Sequence, residues 1–302
     1  MIKIRTDLAL ENRQMYKENQ GGEAPGILMK QRQHGGMRVT EIHVMDQRGS
    51  QALEKPPGRY ITIEMPPVNE MGGAMKQACA DLLARQLGKL LEVGKDSKIL
   101  IIGLGNHNIT PDALGPKTAG RILVTRHRFL LLDQKENGKL TNVSVITPGV
   151  MGNTGIESLD LIKVVTRQIG PDAVIAIDAL AARSMDRITT TIQLCDTGIS
   201  PGAGVGNLRR GINRETLGVK VIGIGVPTVI SAASIVEDYM GEGVFPDFEE
   251  LLRQEREVSE DMIVTPGNID AVIDAFSVIL SRGINQAIHP QLAKEELEEY
   301  LS

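Results

Sequence analysis

Apolar positions recur along this chain in two rhythms, short unbroken runs and longer stretches spaced three and four residues apart. Ala173 to Ile177 is an unbroken apolar run with β-branched residues, the pattern of a strand buried on both faces of a parallel sheet. Lys98 to Gly103, Asn142 to Ile146, Ile188 to Leu194 and Val219 to Gly225 read as further strands. Met75, Cys79, Leu82, Leu83, Leu87, Leu90 and Leu91 keep helical spacing, which predicts an amphipathic helix over 70 to 93 ended by Gly94. Ile269, Val272, Ile273, Phe276, Ile279, Leu280 and Ile284 mark a second long helix packed on the core. A glycine-broken loop, Pro148 to Gly155, leads into a helix ending at Ile169, and Pro227-Thr228 opens a helix reaching about Met240. Strands alternating with helices predict an α/β fold, a mainly parallel sheet sandwiched by helices, with its core at 98 to 288.

The N-terminal third has another rhythm. Gly26 to Lys30, Arg38 to Val44 and Arg59 to Met65 are short β patterns separated by Gly-Gly and Pro-Pro-Gly, and the middle one alternates as an antiparallel strand with one wet face does. They predict a small additional β layer over 26 to 66. Residues 1 to about 25 are polar and contain glycine, with Arg5 to Glu11 as the only ordered-looking piece, so composition predicts a flexible arm. The stretch 246 to 260 is acidic and polar, a solvated helix or linker. With no internal repeat, the 302 residues are expected to form a single domain.

Charge and composition narrow the function classes. The net charge is −5 with acids and bases interspersed, and without a basic run direct nucleic-acid binding is not expected. Trp is absent and aromatics are few, so a base-stacking platform is not expected. Neither a signal-peptide core nor an apolar stretch of membrane-spanning length is present, so an intracellular, soluble protein without membrane contact is expected. Cys79 and Cys195 lack metal-ligand spacing and read as buried free thiols.

The candidate chemistry is carboxylate chemistry. The Ala173 strand stops on Asp178, and the Lys98 strand runs through Leu104-Gly105-Asn106 into Thr110-Pro111-Asp112. In open α/β sheets ligands bind outside the carboxyl ends of the strands, where both aspartates would face one crevice. There, mutual repulsion would keep one proton on the pair near neutral pH, leaving a base and an acid to activate water against an amide. Each aspartate also has a purely structural reading. Asp112 would lie in the first turn of a helix capped by Thr110, and Asp178 would cap a helix over Ala179 to Ala182. Other motifs fall short. Gly103-Leu104-Gly105 would need a third glycine where Asn108 stands; GISPGAGVGN (198 to 207) lacks the Lys-Ser/Thr ending of a nucleotide loop; Ser158 and Ser184 lack a Gly-x-Ser-x-Gly setting. His107 and His127 could join Asp112 and Asp178 as ligands to a transition metal.

Eight motifs carry a resemblance: RTDLALE (5 to 11), GRYITIE (58 to 64), GLGN followed by TPDALGP (103 to 116), PGVMGNTGIE (148 to 157), AIDALAARS (176 to 184), DTGISPGAGVGN (196 to 207), ETLGVKVIGIGVPTV (215 to 229) and VTPGNID (264 to 270). In order and over nearly the whole chain, they resemble the germination proteases of spore-forming bacteria. The resemblance implies an endopeptidase of atypical aspartic type that begins the degradation of small acid-soluble spore proteins, with a fold similar to hydrogenase-maturation peptidases. It puts the catalytic aspartates at Asp112 and Asp178. It also implies a zymogen that removes its own N-terminal piece by cutting after an acidic residue, which Thr6-Asp7-Leu8-Ala9 matches as a cut between Asp7 and Leu8, with 1 to 7 as propeptide. A homotetramer in the forespore and spore core follows from the same likeness. In the related hydrogenase-maturation group, acids and a histidine hold nickel. No histidine here stands in a matching motif, so neither metal nor cofactor is expected. A metal-assisted peptidase and a non-enzymatic spore-protein-binding protein are the rival readings. Between about Met240 and Met262 the chain is shorter than the family pattern.

Overall fold

The computed structural model describes residues 6–92, 94, 96–132, 137–202, 210–235 and 262–301. The acidic stretch 246 to 260, the shortened region near 240 to 262 and the middle of the GISPGAGVGN loop lie outside the described residues.

All described strands belong to one sheet. They are β1 (Ile27–His34), β2 (Met37–Val44), β3 (Gly58–Glu64), β4 (Lys98–Gly103), β5 (Asn142–Ile146), β6 (Ala173–Ala182), β7 (Thr191–Cys195), β8 (Lys220–Ser231) and β9 (Ile263–Val264). Their order is β1-β2-β3-β7-β8-β6-β4-β5, with β9 added to β8. The pairs β8-β6, β6-β4 and β4-β5 are parallel, and the remaining pairs are antiparallel. The fold is thus α/β with a parallel core. The N-terminal strands continue that sheet through β7, so they are its flank instead of a separate layer.

The unbroken apolar strands are explained by cover on both faces. Ile99, Ile101, Ile175, Ile177, Ile222 and Ile224 join the helices Gly73–Leu91 and Ile269–Ile288 in one core. Their neighbours Leu100, Ile102, Val174, Ala176 and Val221 join Leu159 and Ile162, from the helix Ser158–Ile169, in a second core. Alternate side chains of a strand leave on opposite faces, so a residue run must be apolar throughout when both faces are dry. Gly283 lets the two long helices touch: a Cβ there would come within 2.7 Å of Leu83 and 2.9 Å of the Ala80 carbonyl.

Three expectations are overturned. Asp178 does not cap a helix; β6 continues through Ala182, because Ala179 to Ala182 are paired with β8 along their whole length. The helix expected after Pro227 is likewise strand as far as Ser231. Proline cannot donate to a ladder, and the sheet accommodates it with an irregularity: Leu180 pairs with Pro227 and Ala181 with Val229, so Thr228 is the extra residue of a bulge. The N-terminal arm, finally, is structured. Ala9–Gln20 is a helix, and Thr6, Leu8, Ala9 and Glu11 are buried. The polar face of that short helix hid the few contacts that fasten it.

Candidate active site

The two aspartates reach one cavity by different routes. Asp112 ends a 3-10 turn, Thr110–Asp112, that follows β4, with no side-chain cap from Thr110. Glycines press this turn onto the sheet. At Gly105, which has φ +112, a Cβ would lie 2.0 Å from the Asp112 carbonyl oxygen; at Gly115 it would lie 2.1 Å from the Leu104 carbonyl and 2.6 Å from that of Ile177. The Asn106 N–H donates to Asp112 Oδ2 at 2.7 Å, and the Leu104 N–H donates to the Ile177 carbonyl at 2.8 Å. Residues that close to side chain and backbone must be glycine, and the result is that Asp112 abuts the part of β6 carrying Asp178.

Asp178 is 5% exposed, within β6 next to Gly225 of β8. Asp112 and Asp178 line the same cavity of about 400 Å³, together with Asp7, Glu157, Arg210 and Thr228. Both acids therefore face one crevice at the carboxyl ends of the parallel strands. Thr228, the bulge residue, is fully buried, and its Oγ1 has no hydrogen-bond partner among the described residues. A buried hydroxyl in that state is costly, and a substrate or water entering the cavity would satisfy it.

The arm closes one side of this cavity. The Asp7 N–H donates to the Ala181 carbonyl at 3.0 Å, and the Ala181 N–H donates to Asp7 Oδ2 at 2.9 Å. Gln193 Nε2 donates to the Asp7 carbonyl at 3.0 Å, while its Oε1 accepts from the Ala9 N–H at 2.8 Å. Leu8 sits in a pocket of Leu180, Ala182, Ile188 and Ile230. Glu11 accepts from the N–H groups of Arg183 and Ser184 and from the Thr6 hydroxyl. Burial pushes the Glu11 carboxyl up from its ordinary value, and those donors oppose the shift. Sequence reading named Asp7 and Leu8 but had no signal for Gln193 or Thr228, whose roles depend on strand register.

The histidines do not join the aspartates. His107 is exposed in a separate depression with Asn106 and Asn153, and His127 is exposed on the helix Arg126–Leu131. Among the described residues no group of three His, Cys, Asp or Glu side chains is placed to hold a metal ion. Cys79 and Cys195 are free and buried, as expected. No helix among the described residues is long and apolar enough to cross a membrane.

Comparison with known proteins agrees over the whole chain. The family model described as germination protease matches residues 4–259. The germination protease of Clostridium tetani is 40% identical over all of both chains, and that of Caldanaerobacter subterraneus subsp. tengcongensis is 41% identical over all of this chain and 99% of the relative. The germination protease of Bacillus subtilis is 36% identical, covering 98% and 96%. A solved NiFe hydrogenase maturation protease from Thermococcus kodakarensis KOD1 aligns with 65% of this chain and 98% of its own, at 17% identity and a TM-score of 0.33. With the family model spanning most of the chain and full-length relatives at this identity, the chain belongs to the germination protease family.

Proposed function

We propose that this protease is an endopeptidase whose Asp112 and Asp178 activate a shared water, and that it begins the breakdown of small acid-soluble spore proteins at germination. One observation carries the reading: two acids, Asp112 on the turn after β4 and Asp178 within β6, line one cavity, and glycines that admit no side chain hold the Asp112 turn against the sheet. One carboxylate removes a proton from water as its oxygen attacks the carbonyl carbon; the other, protonated, gives its proton to the amide nitrogen as the C–N bond breaks. The cut follows an acidic residue, and the first such bond cut is the chain's own, between Asp7 and Leu8, which converts a zymogen to the active form. The docked arm supports this, since Asp7 lines the cavity of the two aspartates. The family implies work in the spore core as a homotetramer.

The test is cleavage of a small acid-soluble spore protein by the purified chain, followed by mass spectrometry. Asp112→Asn and Asp178→Asn are expected to fold and to leave both the substrate and their own N terminus intact. Unchanged cleavage by either variant would remove this site.

A further inference from the structure

The arm lies over the sheet as a peptide substrate would, and it singles out a residue of β7. Leu8 is extended, with φ −87 and ψ 119. In an extended chain the carbonyl of one residue and the N–H two residues later point to the same side. Gln193 meets both: Nε2 donates to the Asp7 carbonyl at 3.0 Å and Oε1 accepts from the Ala9 N–H at 2.8 Å. The second bond fixes the amide's orientation, so the donor end must face the Asp7 oxygen.

Strand register brings Gln193 to the chemistry. Gln193 is opposite Gly225, and Gly225 is opposite Asp178, so the three form a row across β7, β8 and β6. Two strand spacings, roughly 10 Å, separate the ends of the row on one face of the sheet. Gly225 adds no side chain between them. Its space goes to Leu180, which a Cβ at 225 would meet at 2.4 Å, and Leu8 packs on Leu180.

We propose that Gln193 is the donor for the oxyanion of the cut bond, and that together with the apolar pocket around Leu8 it sets the backbone register of a substrate. This rests on the reading of Asp7-Leu8 as a bond that the enzyme cuts. When water adds to the Asp7 carbonyl carbon, the carbonyl electron pair moves onto the oxygen that Gln193 Nε2 already holds. On collapse that pair re-forms the carbonyl, the C–N bond breaks, and Leu8 nitrogen leaves with the proton from the acid. Preorganised donors at such an oxygen are typically worth about a hundredfold or more in rate.

Self-cleavage of the full chain, timed by intact mass, tests this with Gln193→Glu and Gln193→Met. The Glu variant keeps the acceptor for Ala9 and loses the donor; the Met variant loses both. Each is expected to slow release of residues 1 to 7 by about a hundredfold, and the Glu variant to retain slow hydrogen exchange at the Ala9 amide, which shows that the arm is docked. Lowering the pH restores a proton to the introduced carboxyl, so the rate of the Glu variant relative to the Met variant should rise about tenfold or more. Asp7, Asp112 and Asp178 are common to both variants and cancel in that ratio. A role confined to accepting from the Ala9 N–H predicts a ratio that is flat or falls, since a carboxylate is the better acceptor at the start of a helix, and either result, or a wild-type rate in either variant, overturns the proposal. If the Met variant fails to fold, the ratio of the Glu variant to wild type decides in the same way. A wild-type chain that is never cut, or is cut elsewhere, overturns the self-cleavage reading instead, and this inference with it.

Discussion

Glu11 is 3% exposed, and its carboxyl is raised by burial more than its donors lower it. A carboxyl raised in the folded state contributes stability that is fully present below the unfolded value, near 4.5, and is lost as pH rises through the folded value. The chain should therefore melt at lower temperature as pH climbs through that window, and Glu11→Gln, which has no proton to lose there, should show a flatter profile. Parallel profiles would count against Glu11 as the titrating group. Its neighbour Leu8 is fully buried among aliphatic side chains. Leu8→Ala is expected to weaken docking of the arm by about 2 to 3 kcal/mol, read as faster exchange at the Asp7 and Ala9 amides with the central sheet unaffected. Burial also pushes the Cys79 thiol up to about 12, so a thiol reagent at neutral pH should leave Cys79 unmodified in the folded chain.

At the scale of elements, the site depends on how closely the Asp112 turn approaches β4 and β6. Gly115→Ala places a methyl against the carbonyls of Leu104 and Ile177. Overpacking of this kind costs about 1 to 3 kcal/mol; because the turn can shift more easily than the sheet, cleavage should fall more steeply than melting temperature. Equal retention of both would mean that the turn's position is not critical. The bulge at Thr228 is a second such device. It lets Pro227 sit inside a central strand and leaves a buried hydroxyl on the cavity wall. Helix propensity in Ala179 to Ala182 is overridden in the same place, since backbone pairing to β8 and burial outweigh a few tenths of a kcal/mol per residue.

For the whole molecule, the two-aspartate reading predicts that a strong chelator leaves cleavage intact. Loss of activity restored by added metal would replace it with metal-assisted hydrolysis. Sedimentation or light scattering should find four copies in the assembled protein, and a monomer would count against the family expectation. Strand β1 is one edge of the sheet, with Leu28 and Met29 exposed, so substitutions there are the ones to examine first if assembly is confirmed.

What the sequence by itself determined are the features that repeat locally. Apolar runs in β4, β6 and β8 announced strands dry on both faces; helical spacing found Gly73–Leu91 and Ile269–Ile288; two carboxylates after apolar strands marked the acids of one cavity. Tertiary structure alone decided where strands end, because the pairing that carries β6 past Asp178 and β8 past Pro227 comes from residues far away in the chain. It alone fixed the arm as well: Arg5 to Glu11 looks ordered within a polar arm, but where it docks is set by Ala181, Arg183 and Gln193 across most of the chain's length. Hydrophobic rhythm is written along a segment, whereas a hydrogen bond between distant backbones exists only once the sheet has brought them together.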